Sequence, residues 1–421
     1  MIQYLKSRRV LTAGGFQPAT VAFEEGRVVS IETYGGADDV CVLPGIIDTH
    51  VHVNEPGRTE WEGFATATKA AAAGGCTCIV DMPLNSIPAT TNVSALEQKR
   101  EAARNQAVVD CEFWGGVVPG NAADLLPLAK AGVRGFKCFL ADSGVPEFVR
   151  VEEADLDLAM PVIAETGLPL LVHAECPDVL SAARSGLRGD WSRYQTYLAS
   201  RPPQAEVEAI EMMIRLCRKH RSRVHIVHVS AAEALMPLRR AKSEGLPITA
   251  ETCPHYLYFA PEDIPDGATH FKCAPPIRER RNRELLWEGL ADGTLDLIAT
   301  DHSPCPPATK QGDFDSAWGG ISSVSVALAV VWTEARKRGF QLEDVCRWMC
   351  ANPACLAGLD GKKGKIAPGY DADLVLFDPD EVWTVAADRL HFRHPCSPYI
   401  GAVVTGKVKQ TFVRGVPKFV Q

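Results

Sequence analysis

Histidine and aspartate side chains recur at the ends of strand-like runs. The run DTHVH brings His50 and His52 to the same side, because side chains alternate along a strand. Two imidazoles on one face can share a metal ion. His173 in LLVHAE, His228 in HIVHVS and Asp301 in LIATDHS occupy the same late position in three further runs. Each residue alone is compatible with a hydrogen-bonded core position, but together they predict a metal centre.

A lysine lies inside another of these runs. Lys137 in GVRGFKCFL has apolar neighbours and no acid beside it. A buried lysine loses its proton or finds an anion. One interpretation is that Lys137 extends to water at the end of its strand. The other is that its neutral amine takes up carbon dioxide, which gives a carbamate able to bridge two cations.

Eight strand-like runs must position these residues, and they alternate with helical stretches rich in Ala, Leu and Glu. In chain order they are LPGIIDTHVH, CTCIVDMPLN, CEFWGGVV, VRGFKCFL, LPLLVHAE, RVHIVHVS, ITAETCPHY and LDLIATDHS. This alternation is typical of βα units and a parallel sheet. Eight units in residues 44–364 predict an α/β protein with a (β/α)8 TIM-type barrel, whose chemistry lies at the C-terminal ends of the strands.

Both ends of the chain differ in sequence pattern from the middle, because they contain short β-branched runs separated by turns. Residues 1–43 contain ATVAFEEGRVVSIETYGG, and residues 365–421 contain GKVKQTFVRGVPKFV. Such runs are typical of strands joined by hairpins. We therefore expect the two ends to form one small β-sandwich domain, with the barrel inserted between them.

The composition excludes several classes of partner. The chain has 421 residues, of which 46% are hydrophobic and 23% charged, as in ordinary globular proteins. A net charge of -8 gives no basic surplus for nucleic acid or anionic membranes.

The start MIQYLKSRRV lacks the apolar segment of a secretory signal, so we expect a cytoplasmic protein. Its 14 cysteines are scattered along a long chain, which favours reduced thiols over a disulfide framework.

The motifs together resemble a known family. DTHVH, FKCF, VHAE, VHVS and TDHSPC are similar to the binuclear-metal, cyclic-amide branch of the amidohydrolase superfamily, which holds dihydroorotases, hydantoinases (dihydropyrimidinases) and allantoinases. The resemblance implies two divalent metal ions per subunit, zinc first, with cobalt, manganese or iron as alternatives. It also implies a carbamylated Lys137 (N6-carboxylysine) formed with carbon dioxide, a bridging hydroxide, and Asp301 as the proton shuttle. The implied ligands of one ion are His50, His52, Lys137 and Asp301, and those of the other are Lys137, His173 and His228.

Loop motifs indicate which ring is opened. Dihydroorotases typically place an arginine two residues after the second strand-one histidine, where this sequence has Asn54. HVNEPGRTEWEGF, DMPLNSIPATT, YLASRPPQAEVEAI, ETCPHY, KCAPPIR and HPCSPYIG are instead similar to motifs of allantoinases. This similarity implies hydrolysis of allantoin to allantoate, a step of purine catabolism. The implied substrate contacts are Asn85, Cys273, Ala274, Ser303, Trp318 and Gly319.

Several alternatives stay open at this point. Asn85 also fits a turn cap, Cys273 a packing residue, and Arg58 a brace of the first loop, while His255 and His302 have no assigned role. Activity on another neutral cyclic amide would make the protein a hydantoinase or dihydropyrimidinase. Some members of this fold have lost metal ligands and act as non-enzymatic assembly proteins, but here the ligand set is complete. The resemblance finally implies a homotetramer.

Overall fold

The computed structural model describes residues 1–421 and contains 16 strands and 13 α-helices. The strands are β1 Gln3–Thr12, β2 Gly15–Glu24, β3 Arg27–Thr33, β4 Cys41–Pro44, β5 Ile46–Val51, β6 Cys76–Asp81, β7 Asp110–Phe113, β8 Gly115–Gly116, β9 Phe136–Phe139, β10 Leu170–His173, β11 Val224–Ile226, β12 Ile248–Thr252, β13 Leu297–Ile298, β14 Leu374–Thr384, β15 Val403–Val413 and β16 Val416–Val420. The helices are α1 Phe64–Ala73, α2 Val93–Ala103, α3 Ala122–Lys130, α4 Glu153–Thr166, α5 Pro177–Ser185, α6 Tyr194–Ala199, α7 Pro203–His220, α8 Leu235–Ser243, α9 Pro254–Tyr258, α10 Arg280–Ala291, α11 Ala327–Lys337, α12 Leu342–Cys346 and α13 Asn352–Leu356.

Strands β5 to β13 form a parallel barrel. β5, β6 and β7 pair in one sheet, and β8 to β13 pair in a second. The ring closes where the N–H of His52 donates to the carbonyl of His302 (2.8 Å) and the N–H of His302 donates to the carbonyl of His50 (3.2 Å). Most residues of these strands are buried, because helices cover a parallel sheet on the outside and side chains fill it inside. The predicted barrel is therefore confirmed.

All eight predicted runs contain barrel strands, and the third run is split. The run CEFWGGVV contributes both β7 and β8, with Trp114 between them. Trp114 is buried, and its indole N–H donates to the carbonyl of Thr49 (2.8 Å). The run pairs with β6 up to Trp114 and with β9 after it, a change of neighbour that the apolar run alone does not reveal.

The remaining strands form one seven-stranded sheet with the order β16-β15-β14-β4-β1-β2-β3. It therefore mixes strands from both chain ends and surrounds a small core of nine buried residues, among them Val10, Val42 and Leu374. Together with the barrel this gives the expected architecture of a (β/α)8 barrel with a small β-sandwich. The sheet includes β4, which ends at Pro44, and the domain boundaries after residues 43 and 364 stay predictions.

Two further features concern the chain as a whole. None of the helices is both long and apolar enough to cross a membrane. All 14 cysteines are free thiols in the structure, and most of them are buried.

Candidate metal centre

The predicted metal ligands lie at the C-terminal ends of the barrel strands. His50 lies in β5 with His52 directly after it, and His173 is the last residue of β10. His228 and Asp301 follow β11 and β13, and both have positive φ angles, 40° and 45°. Such backbone is uncommon outside glycine and clusters at functional sites, where the surrounding structure holds it. Four strands thus direct their polar side chains to one end of the barrel.

Three of these residues form a candidate cation site. Nε2 of His50 and Nε2 of His52 lie 3.2 Å and 3.3 Å from Oδ1 of Asp301. One potential ligand atom from each residue lies within 4.8 Å of the others, and all three residues are buried. Burial alone would raise the pKa of the Asp301 carboxyl, but the neighbouring imidazoles, His50 foremost, lower it below its ordinary value. Asp301 is therefore a carboxylate at neutral pH.

The other two histidines form an adjoining pair. Nδ1 of His173 lies 3.0 Å from Nε2 of His228, and the His50 and His228 rings are 5.4 Å apart between centroids. Burial lowers the pKa of both imidazoles, so both are neutral near pH 7. Two neutral imidazole nitrogens that face each other at this distance suit a shared cation better than a hydrogen bond, because a cation accepts both lone pairs.

Lys137 lies beneath these histidines and has no polar partner. It is fully buried in β9, and its Nζ makes no hydrogen bond. Nζ lies 4.6 Å from the ring centroid of Phe139, and that ring also stacks on His173. Burial lowers the pKa of the Lys137 amine to about 8. Lys137 therefore does not extend to water. A buried, unpartnered amine beside two imidazole pairs fits the carbamate hypothesis, because a carbamate would supply the missing anion.

Buried carboxylates fix the outer nitrogens of two of the histidines. Nδ1 of His50 lies 2.5 Å from Oε1 of Glu251, and the other oxygen of Glu251 lies 3.0 Å from Nε2 of His225. Burial opposes ionisation of Glu251, but the two imidazoles, His50 first, lower its pKa to about 2. Nε2 of His173 similarly lies 2.7 Å from Glu175. In each case the imidazole donates its N–H outward and leaves the other nitrogen free for a cation.

We expect Glu251→Gln to weaken metal binding by about 10-fold to 100-fold, because carboxylates that orient ligand histidines have effects of this size. The measurement is competition for metal against a chelator of known affinity, followed by elemental analysis. Glu112→Gln is a suitable control, since Glu112 pairs with Arg134 (2.7 Å) away from the histidines. Equal metal affinity in the two variants would show that Glu251 does not support the site.

A cavity of about 670 Å³ opens above the histidines. Its lining includes five of the predicted ligands, His50, His52, His173, His228 and Asp301. Five of the six residues predicted to contact substrate also line it, namely Asn85, Ala274, Ser303, Trp318 and Gly319. Cys273 does not line the cavity; it is buried, and its carbonyl accepts a hydrogen bond from the hydroxyl of Tyr197 (2.6 Å).

The lining offers uncharged polar groups, while its cations are already bonded. Oδ1 of Asn85 and the indole Nε1 of Trp318 are buried without a partner. Arg184 pairs with Asp315 (2.5 Å), and Arg201 pairs with Glu175 (2.5 Å). The third cation, Lys272, donates to the backbone carbonyls of Asp315 and Ala317. The cavity therefore has no unpaired cation for a substrate carboxylate.

The structure shows the contacts of the residues whose roles the sequence left open, namely Arg58, His302 and His255. Arg58 pairs with Glu147 and donates to the carbonyl of Asn85 (3.1 Å), so it braces loops at the cavity mouth. Nδ1 of His302 accepts the N–H of Ser323 (3.1 Å) and so anchors a loop. His255 is fully buried, neither ring nitrogen has a partner, and burial lowers its pKa to about 4.

Sequence reasoning missed the carboxylates behind the histidines. Glu251 in ITAET and Glu175 in VHAE are acids within runs that fold as buried strands or strand ends. That placement was a usable signal, because a buried acid requires a partner. The identity of the partner was not readable, since Arg201 lies 26 residues from Glu175 and His50 lies 201 residues from Glu251.

Comparison with known proteins agrees with this geometry. The amidohydrolase family model matches residues 41–418. An allantoinase of Streptomyces avermitilis is 50% identical over 98% of this chain and 94% of its own length. An allantoinase of Saccharomyces cerevisiae is 43% identical over the same shares. Among solved structures, an L-hydantoinase (dihydropyrimidinase) from Arthrobacter aurescens superposes with a TM-score of 0.94 at 30% identity, over 98% of this chain and 95% of that one. The chain therefore belongs to the amidohydrolase family, in the cyclic-amide branch that includes allantoinases and hydantoinases.

Proposed function

We propose that the protein hydrolyses allantoin to allantoate by opening the hydantoin ring at a C–N bond. The observation that carries this proposal is the similarity to allantoinases along nearly the whole chain. The cavity supports it independently, because allantoin is a neutral hydantoin ring bearing a urea and the lining offers neutral donors and acceptors. Hydantoinase or dihydropyrimidinase activity is the alternative, supported by the solved structures at lower identity.

The donor set fits two divalent cations, and we propose zinc as the metal. His50, His52 and Asp301 with a carbamylated Lys137 would hold one ion, and the same carbamate with His173 and His228 would hold the other. Imidazole and carboxylate donors are also suitable for cobalt, manganese and iron. Bound ions would polarise the ring carbonyl and lower the pKa of water from 15.7 to about 7, which permits attack at neutral pH.

The chain's own groups supply proton transfer and orientation. Asp301, ionised in this setting, accepts the proton of the attacking water and returns it to the ring nitrogen that leaves. Asn85 lines the cavity and is placed to orient the ring, since its Nδ2 lies 3.4 Å from Nδ1 of His52 while its Oδ1 has no partner within the chain. Ser303 and the backbone of Gly319 complete the polar lining.

Substrate choice tests the proposal. We expect dihydroorotate to be a poor substrate, with kcat/KM at least about 10²-fold below that of allantoin, because an unpaired buried carboxylate costs several kcal/mol. Asn54, which stands where a dihydroorotase has its arginine, donates instead to the carbonyl of Pro304 (3.1 Å). Plain hydantoin should also have a lower kcat/KM than allantoin. It has no urea, so the polar groups of the cavity that would bind the urea stay without a partner.

The experiment compares kcat/KM for allantoin, hydantoin, dihydrouracil and dihydroorotate with one metal-loaded preparation. A dihydroorotate value equal to that of allantoin would refute the argument from Asn54 and the bonded cations. A higher value for hydantoin or dihydrouracil would replace the proposal with its alternative.

We also propose that the protein is a homotetramer in the cytoplasm. Both statements rest on the resemblance and on the sequence, since the structure contains one chain. Light scattering on the eluate of a sizing column measures the assembly directly. A monomer or dimer at micromolar concentration would exclude the tetramer.

A further inference from the structure

Two lysines beside the cavity are bonded to backbone carbonyls and to no carboxylate. Lys310 is only 8% exposed, and its Nζ donates to the carbonyls of Trp318 (2.8 Å) and Gly320 (2.6 Å) and lies 3.5 Å from that of Lys272. Lysines this deeply buried are rare unless an acid pairs with them. Here three main-chain carbonyl oxygens take the place of that acid.

Lys272 holds the same loop from the other side. Its Nζ donates to the carbonyls of Asp315 (3.0 Å) and Ala317 (2.5 Å), while its own carbonyl accepts the N–H of Gly320 (2.8 Å). Its ammonium also lies 5.4 Å from the centroid of the Tyr197 ring, a cation–π contact. The segment 315–320 is therefore fixed by two ammonium groups.

The pattern of bonded carbonyls leaves the main-chain N–H and C=O of one residue, Gly319, free. The carbonyls of Asp315, Ala317, Trp318 and Gly320 are all bonded to a lysine, whereas the N–H and C=O of Gly319 make no hydrogen bond within the chain. Gly319 lines the cavity. A Cβ at this glycine would lie 3.9 Å from the N of Ala274, whose N–H is also unbonded. Free donors and an acceptor thus lie side by side on the cavity wall.

The neighbouring glycine explains how closely this loop approaches the site. Gly320 has a φ of 154°, and a Cβ there would lie 2.6 Å from the carbonyl oxygen of Ser303. Only glycine fits at that distance. The loop therefore packs directly against Ser303, which follows Asp301 by two residues, and Asp301, Ser303 and Gly319 all line the cavity.

We propose that Lys310 and Lys272 are positioning residues that hold the main chain of Gly319 in the orientation needed to bind the amide edge of the substrate ring. A cyclic ureide presents an N–H donor next to a C=O acceptor, which is the complement of the free N–H and C=O of Gly319. The bond from Lys310 to the carbonyl of Trp318 fixes the peptide group that carries the N–H of Gly319, and the bond from the N–H of Gly320 to the carbonyl of Lys272 fixes the peptide group that carries its C=O. Such preorganisation increases affinity. The proposal deepens the proposed function, because it rests on a cyclic amide as the ligand.

The electrostatic cost of the arrangement argues that it is more than a loop anchor. Burial and, to a smaller extent, the nearby charge of Lys310 together lower the pKa of the Lys272 ammonium to about 8. Burial likewise lowers the pKa of Lys310. Two like charges without an acid between them destabilise the fold. Neutral polar side chains would anchor a loop at less cost, but they would not fix four carbonyls.

The test uses metal-loaded Lys310→Met and Lys272→Met. Both should raise KM about 10-fold to 100-fold while kcat changes by less than about threefold, because lost orientation of a binding group weakens ground and transition states alike. Lys272→Arg keeps a cation near the same carbonyls and should recover most of the KM. Lys242→Met is the control, because Lys242 lies in α8 outside the cavity and also donates to a backbone carbonyl, that of Gly293 (3.0 Å). The KM of this variant should stay unchanged.

The outcomes separate this proposal from the proposed function. The wild-type comparison of cyclic amides identifies the substrate, and KM of the variants is then measured on the best substrate found, whichever it is. A purely structural role would lower the melting temperature and the active fraction, which reduces apparent kcat and leaves KM unchanged. Unchanged KM in soluble Lys272→Met, or no recovery in Lys272→Arg, would overturn the proposal even if allantoin is the substrate.

Discussion

Lys137→Ala should lose at least about 10³-fold in kcat, because the variant lacks the bridging anion on which both proposed ions depend. Wild-type protein should contain close to two divalent ions per chain by elemental analysis, and the variant fewer. The reason is structural. Lys137 is fully buried with no partner for its Nζ, and without a carbamate on it Asp301 would be the only anion among the proposed ligands of two cations.

Short carboxylic acids provide a second arm of this experiment. Acetate or propionate should restore part of the activity of Lys137→Ala by occupying the space of the lost carbamate. Lys130→Ala is the matched control, since Lys130 lies in the last turn of α3, outside the cavity, and should retain full activity. Full activity without Lys137, or an active wild type with one ion per chain, would exclude the bridged pair of ions.

Asp301→Asn should retain the fold and lose about 10²-fold to 10⁴-fold in kcat, because an amide cannot take the proton of the attacking water. Loss of a metal ligand adds to this effect, so metal content must be measured with kcat. The carboxylate lies beside His50 and His52, whose Nε2 atoms are 3.2 Å and 3.3 Å from its Oδ1. The other acids that line the cavity are Asp142 and Asp315, and Asp315 is paired with Arg184.

Asp142→Asn provides the control for Asp301→Asn. Asp142 also lines the cavity, but its carboxylate accepts the N–H of Gly144 (3.0 Å) within its own loop. Its replacement should leave kcat within a few fold of wild type. If Asp301→Asn with full metal content behaves in the same way, then another group is the base.

The barrel and the convergence of the candidate ligands could be predicted from the sequence because both follow from local rules. Alternation along a strand brings His50 and His52 together, and the ends of parallel strands meet at one face of a barrel. His173, His228 and Asp301 therefore converge without any knowledge of loop structure. For Lys137 the flanking apolar residues left two interpretations open, and the structure favours the buried amine over extension to water.

The supporting shell could not be predicted, because its contacts join distant segments. Glu251 reaches His50 across the barrel, and Lys310 reaches Gly320 only because two loops fold against each other. Cys273 shows a different difficulty, in which the segment is indicated but not the residue within it. The resemblance indicates the segment near the substrate, but the side chain is buried and the adjacent Ala274 faces the cavity. Which residue of a loop faces a ligand depends on its φ and ψ angles, which the sequence does not specify here.

The most direct measurement is the product formed from allantoin by metal-loaded protein, with kcat/KM determined beside hydantoin. The proposed function predicts a single product heavier than allantoin by one water molecule and bearing a new carboxylate, with a higher kcat/KM for allantoin than for hydantoin. A preparation with its full metal content that opens hydantoin but leaves allantoin intact would contradict it.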